Sequence, residues 1–267
     1  MKLNQDGIQQ EDKQLAINVR NYLVAGNRVI GDPGEGLRQT LAELEHQRDS
    51  RDFGKTDWEM KDPELENQIS KTKAGIKGEE ELCEYLTRLI KYDDKLNGLV
   101  AFASLSYDLG KQEDLGYIPD TDTLLVFGNH LLVVDAKNIK IKPNQSLMLM
   151  DGVVVDAEKG KAIIEVHPST HIWTKVMADA GIPLESIDGY VCIVNDTPVE
   201  IVRTDEWYES HTKLIHISEL KGILESWAEG KNNTLSLKLL TEIAKAQIKK
   251  EKNISFDVDS IKRKFGV

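Results

Sequence analysis

Two strand-forming runs, Asp122-Thr-Leu-Leu-Val-Phe127 and Leu131-Leu-Val-Val-Asp135-Ala-Lys137, are separated only by Gly128-Asn129-His130. Runs this rich in branched residues, broken by a Gly-Asn pair, leave the chain one economical course, an antiparallel hairpin. With Gly128-Asn129 as a two-residue loop, Phe127 pairs with His130. Side-chain alternation then sets Asp122 opposite Asp135, on the face shared by Leu124, Val126, Leu131 and Val133. Lys137 points to that face too. Two like charges opposed on an apolar surface are destabilising unless something offsets them. A divalent cation is the evident compensator, because Mg²⁺ takes one or two carboxylates together with waters and phosphate oxygens.

A third carboxylate comes from an earlier helix, expected over about Lys73 to Lys91. Leu82, Tyr85, Leu86, Leu89 and Ile90 form its buried stripe. Of the three acids Glu79, Glu80 and Glu81, only Glu79 lies on the stripe side at 100° per residue. Gly75 and Gly78 fall on that face as well, where a missing side chain lets another backbone approach. The candidate cluster is therefore Glu79, Asp122, Asp135 and Lys137. A metal held by the three carboxylates would polarise a phosphodiester and lower the pKa of an attacking water. Lys137 would orient that water or stabilise charge on the phosphoryl group. The plainer reading of the same residues has solvated acids at strand ends, Lys137 as an ordinary ion-pair partner, and Glu79 favoured by the helix dipole.

Around this window the chain reads as α/β. Strands are expected at Leu99–Tyr107, Leu147–Met150, Val153–Val155, Ala162–Val166, Tyr190–Val194 and Val199–Arg203, with Asp151-Gly152 as a second hairpin signal. Helices are expected near Thr170–Ala180, Ile217–Trp227 and Leu235–Lys249. Helix first, then a mainly antiparallel strand run, then helix and strand again, describes a mixed central sheet flanked by helices. Residues 1–70 differ: they carry 14 acids and 9 bases and two helix-like stretches, about Gln9–Val24 and Gly36–Arg48. Gly31-Asp32-Pro33-Gly34-Glu35-Gly36 breaks them apart as a turn. No Gly-Lys-Ser/Thr follows those glycines, which sets them apart from a phosphate loop. The expected division is a helical N-terminal extension over 1–70, a main domain over 71–230 and a helical tail over 231–267. The extension either packs on the main body or serves as an arm for a protein partner.

Charge bounds the function. The 267 residues carry 34 Lys+Arg against 45 Asp+Glu, a formal net charge of −11. That balance argues against a passive coat that neutralises nucleic-acid phosphates, but not against an enzyme meeting nucleic acid through a local patch and a metal. Lys140 and Lys142, directly after Lys137, are candidate phosphate contacts, with Lys245, Lys249, Lys250, Lys252, Lys262, Arg263 and Lys264 as weaker ones. No apolar run exceeds five residues and the first residues hold no apolar signal core, so the expected location is cytoplasmic with no membrane contact. Cys83 and Cys192 form no framework or metal pattern, which suits a reducing compartment. Trp58, Trp173, Trp207 and Trp227 are scattered and read as packing residues; His46, His130, His211 and His216 show no metal spacing.

Pro119-Asp120 followed by Asp135-Ala136-Lys137 resembles the PD-(D/E)xK nuclease superfamily. Residues 75–195 are more specifically similar to the nuclease-related domain, NERD, through Gly75-Ile-Lys-Gly78-Glu79, Thr121-Asp122-Thr-Leu-Leu-Val, and Leu131-Leu-Val-Val-Asp135-Ala-Lys137-Asn138. The resemblance implies a restriction-endonuclease-like core and a Mg²⁺- or Mn²⁺-dependent nuclease acting on DNA before RNA. It implies Glu79, Asp122 and Asp135 as metal ligands and catalytic acids, with Lys137 as the catalytic lysine. The literal Pro-Asp dipeptide nominates Asp120, whereas the hairpin register favours Asp122 and sets Asp120 opposite Lys137. Where the family pattern continues with Asn-Pro-x-x-Gln, this chain has His167-Pro168-Ser169-Thr170-His171, so His171 stands in the glutamine's place and would donate towards phosphate or water. The rival expectation is a non-catalytic protein-interaction module on a retained nuclease fold, in phage or bacterial defence.

Overall fold

The hairpin at Gly128-Asn129 is the centre of a six-stranded sheet. The computed structural model describes residues 2–4, 8, 10–52, 62–106, 120–142, 144–166, 169–204 and 212–250. Within them, β1 (Lys2–Asn4), β2 (Val29–Ile30), β3 (Val100–Ser106), β4 (Asp120–Phe127) and β5 (His130–Lys137) precede β6 (Ser146–Met150), β7 (Val153–Asp156) and β8 (Lys161–Glu165). They are followed by β9 (Ser186–Ile193), β10 (Glu200–Ile201), β11 (Thr212–His216) and β12 (Thr234–Ser236). The large sheet has the order β11-β9-β5-β4-β3-β2. β3, β4 and β5 form an antiparallel meander; β9 then runs parallel to β5, and β11 parallel to β9. A four-stranded sheet, β10-β6-β7-β8, draws three of its strands from the chain between β5 and β9. The protein is thus α/β, with a mixed sheet flanked by helices and with helices at its N-terminal end.

Turn chemistry sets both hairpins. Gly128 has φ +60°, the first central position of a type II′ turn, and a Cβ there would stand 2.1 Å from the Asn232 carbonyl oxygen. Asp151 (φ 47°) and Gly152 (φ 76°) make the type I′ turn that Asp-Gly favours.

Six helices lie among the described residues: α1 (Lys13–Val24), α2 (Glu35–Asp52), α3 (Pro63–Tyr92), α4 (Thr170–Asp179), α5 (Leu220–Ala228) and α6 (Leu237–Lys250). Five pack against the sheet and α2 packs against α3. On one face lie α1, α4 and α6, burying Ala16, Val19, Leu23, Trp173, Met177 and Ile243 against Val100, Phe102, Leu124, Val126, Leu131 and Val133. On the other lie α3 and α5, burying Leu82, Leu86, Ile90, Leu220 and Leu224 against Ala101, Leu125, Leu132 and Val134. A third cluster joins the small sheet to β9 and β11 through Leu147, Val154, Val191, Ile193 and Leu214.

The N-terminal segment is woven into this body. β1 pairs with β12, β2 pairs with β3, and Asp12 on the approach to α1 accepts an ion pair from Lys245 of α6 at 2.7 Å. The helix α3 begins ten residues earlier than its apolar stripe predicts. Asp62 caps it by accepting from the Glu64 and Leu65 amides, Pro63 stands in the first turn, and Glu64 and Glu66 complement the dipole there. This one helix runs through positions 70 and 71 without a break. β11 was not legible as a strand, because Leu214-Ile215 is too short a run to stand out from the helix that follows it.

Candidate active site

The four clustered residues come from three elements that meet at the C-terminal end of β5. Glu79 lies in α3 on the buried side, 6% exposed, while Glu80 next to it faces solvent. Gly78 brings α3 against the end of β5: a Cβ there would lie 3.0 Å from Asn138 Cβ and 3.4 Å from its amide nitrogen. Gly75 fills a similar role against the Leu37 side chain, 2.8 Å from where its Cβ would be.

The β4–β5 register is the expected one, Phe127 with His130 through Thr123 with Val134. The ladder ends there, one pair short of Asp122 and Asp135. Asp122 Oδ2 instead accepts the Ala136 amide at 2.8 Å and lies 4.0 Å from Lys137 Nζ. Lys137 Nζ donates to Asp135 Oδ1. The side chains of Asp122, Asp135 and Lys137 keep only 16%, 14% and 22% of their exposure, so their charges interact with little screening. Burial, then the Asp135 charge, holds the Asp122 carboxyl well above the usual carboxylate range; Lys137 acts against this and Glu79 adds to it. Burial pulls Lys137 down, but Asp135, Asp122 and Glu79 outweigh it and leave the ammonium firmer than an ordinary lysine's. Cys83, near this cluster, is a buried thiol pushed up to about 12 by desolvation, so it offers no thiolate.

Sequence reasoning missed two residues here, Ser104 and Gly34. Ser104 faces Asp122 across the β3–β4 ladder, between the pairs Ala103–Thr123 and Leu105–Thr121, and has φ 50°. This left-handed residue inverts the alternation of β3: Val100 and Phe102 pack on the α1/α4/α6 face, and so does Leu105. In β4 the same inversion occurs opposite it. Leu125 packs towards α3, yet Thr121 accepts the Trp173 indole N–H at 2.9 Å on the α4 side and pairs with Ser169 at the start of α4. With the alternation inverted, Ser104 Oγ reaches Glu79, donating to Oε2 at 3.0 Å. The Gly34 amide donates to Glu79 Oε2 at 2.8 Å and to Ser104 Oγ at 2.9 Å. The turn at residues 31–36 therefore lies on the cluster, strapped by Arg38 to Asp32 at 2.5 Å and to Glu80 at 2.9 Å.

Other expected contact residues are more dispersed. Lys140 and Lys142 are exposed beyond β5, and His171 is exposed in the first turn of α4. Asp120 opens β4 opposite Ser106; its side chain, Pro119, His167, Pro168, Trp58, Trp207, His211 and the tail bases Lys252, Lys262, Arg263 and Lys264 lie outside what is described, as do the side chains of Lys249 and Lys250. Lys245 is committed to Asp12 and Glu242. Trp173 and Trp227 pack in the two cores. His130, paired with Phe127 as the hairpin register requires, is buried as the first residue of β5, with Nδ1 on Ser186 Oγ at 2.8 Å.

Three carboxylates and one ammonium in a nearly dry site leave negative charge to be balanced, and all-oxygen donors suit Mg²⁺ or Mn²⁺. In the side-chain arrangement present, no three His, Cys, Asp or Glu among the described residues stand close enough to share one ion. Placing one between Asp122 and Asp135 requires Lys137 to leave Asp135. No helix among the described residues is long and apolar enough to cross a membrane. No protein-family model, curated protein or solved structure matches the chain.

Proposed function

We propose that the protein is a metal-dependent nuclease that hydrolyses phosphodiester bonds, in DNA before RNA. The observation that carries this reading is the convergence of Asp122, Asp135 and Lys137 at one strand end, with Glu79 close enough to shift both Asp122 and Lys137. Glu79, Asp122 and Asp135 would hold Mg²⁺ or Mn²⁺, which supplies Lewis-acid polarisation of the phosphoryl oxygens and an acidified water. Burial and the neighbouring Asp135 charge make the Asp122 carboxyl hold its proton more firmly than an ordinary carboxyl does, so a cation would compete with that proton and bind more tightly as pH rises. Lys137 stays an ammonium at neutral pH, which fits it to stabilise charge on the phosphoryl oxygens rather than to act as a base. Lys140 and Lys142 extend outward from the same strand end, where a nucleic-acid backbone would approach, and His171 offers an exposed donor at the start of α4.

The test is hydrolysis of a DNA and RNA panel with Mg²⁺ or Mn²⁺ by wild type, Asp135→Ala and Lys137→Ala. Metal-dependent cleavage in the wild type, lost in both variants, is expected; no such cleavage on any substrate would sink the reading.

A second reading is favoured by one observation: Glu79 Oε2 is already held by Gly34 and Ser104, and Lys137 by Asp135. In it the nuclease-like fold serves as a protein-interaction module in phage or bacterial defence, partnered through residues 1–70. Tight Mn²⁺ binding by calorimetry, lost in Asp122→Ala, opposes that second reading.

A further inference from the structure

We propose that Ser104, with the Gly34 amide as its partner, is a positioning residue for the metal-binding carboxylate of Glu79; this rests on the nuclease reading above. Ser104 pays for its place with a left-handed backbone, φ 50°, in the middle of a strand, where glycine would be at ease. Strain of that kind persists when the side chain does something glycine cannot. Here one hydroxyl both accepts and donates: it takes the Gly34 N–H at 2.9 Å and gives its own hydrogen to Glu79 Oε2 at 3.0 Å. Gly34 N–H also reaches Oε2 directly, at 2.8 Å, so one oxygen of the carboxylate is fixed from two directions. A carboxylate with one oxygen fixed has lost its freedom to swing about χ3, and so would present a constant edge to a cation held at this site. The second donor belongs to the N-terminal segment, held there by the Arg38 bridges from Asp32 to Glu80. That segment is therefore part of the site's supporting shell as well as of the core.

The experiment compares full-length wild type, Ser104→Ala and Ser104→Gly for Mn²⁺-dependent cleavage, Mn²⁺ affinity by calorimetry, and thermal unfolding. Both substitutions remove the hydroxyl, but only alanine keeps the left-handed penalty. The glycine variant should therefore melt about 2–4 °C above the alanine variant. A positioning role predicts that kcat falls about tenfold in both, the worth of one good hydrogen bond at the site, with weakened Mn²⁺ affinity and no recovery in the more stable glycine form. A loss of about threefold or more in both, equal despite their different stability, supports the assignment. A smaller loss, or activity that recovers in glycine along with stability, overturns it and leaves Ser104 a structural residue. Should the alanine variant fail to fold, glycine carries the same threshold alone. An inactive wild type that binds no Mn²⁺ removes the nuclease reading and this assignment together; an active wild type with unimpaired variants removes only the assignment.

Discussion

Asp122→Asn should make the metal-free protein more stable at neutral pH while abolishing the proposed cation binding. The carboxylate lies 4.0 Å from Lys137 Nζ, an attraction of about 4 kcal/mol at an effective dielectric of about 20. Its pKa is nonetheless raised, so burial together with repulsion from Asp135 and Glu79 exceeds that attraction. Asparagine removes the charge and keeps an oxygen for the Ala136 amide, which Asp122 Oδ2 now accepts at 2.8 Å. Replacing a poorly compensated buried charge in this way gains about 1–3 kcal/mol, or several degrees in Tm for a chain of this size. The pH dependence has a definite sign. A carboxyl whose folded pKa lies above its unfolded value of about 3.9 contributes stability that is complete below about pH 3.9 and lost as pH rises through the folded value. The advantage of the variant must therefore open as pH rises from about 4 and level off above the folded value. Thermal unfolding by circular dichroism in EDTA, from about pH 4 to about pH 8.5, spans that window. Excess Mn²⁺ should then raise the wild type by about 2.7 kcal/mol at a hundredfold excess over Kd and leave the variant unmoved. A variant less stable than wild type at the alkaline end in EDTA, or a difference independent of pH, would refute the electrostatic argument. Failure of Mn²⁺ to stabilise the wild type would refute the metal alone.

Two helical glycines should respond oppositely to alanine. Gly222→Ala in α5 meets nothing within 4 Å and should stabilise by about 0.5–1 kcal/mol, whereas Gly78→Ala drives a Cβ to 3.0 Å from Asn138 and should lose that gain and depress cleavage by shifting the strand end that carries Lys137; chemical denaturation and the cleavage assay check both. Lys140→Glu and Lys142→Glu leave α3, β4 and β5 untouched, so they should weaken substrate binding with kcat preserved. Binding measured across a salt series should show a shallower dependence, by about one counterion for each phosphate that the variant no longer neutralises.

The hairpin at Gly128-Asn129 was legible because everything that fixes it is local. A two-residue loop, a glycine able to take φ +60°, and alternating apolar residues set the register without reference to the rest of the molecule. The buried side of α3 was legible for the same reason, since a helical period places Glu79 inward and Glu80 outward from sequence spacing alone. The start of α3 was not, because its first two turns bury only Leu65 and Ile69, and the signal there lies in the Asp62-Pro63 cap rather than in an apolar stripe. Nor were β1, β2 and β12: strands of two or three residues have no period to read and exist only through partners far away in the chain.

The site divides along the same line. Asp135 and Lys137 follow from strand alternation, but alternation also predicted a flat pair of Asp122 against Asp135, and the sheet does not make one. At Ser104 and Asp122 the side-chain faces of β3 and β4 invert together, so that Thr121 and Leu105 join the face of α4 while Ser104 Oγ turns to Glu79. A serine in the left-handed region has no sequence signature, since the residue type neither demands nor forbids it. Gly34 was visible as a turn and nothing more, because its contact with Glu79 spans 45 positions. What local pattern supplied was the charged residues; what tertiary packing supplied was the geometry that keeps three carboxylates near one lysine. The fold holds those carboxylates in place with a left-handed serine in mid-strand and an N-terminal amide, an arrangement whose electrostatic cost a cation would offset under the proposed metal-dependent function.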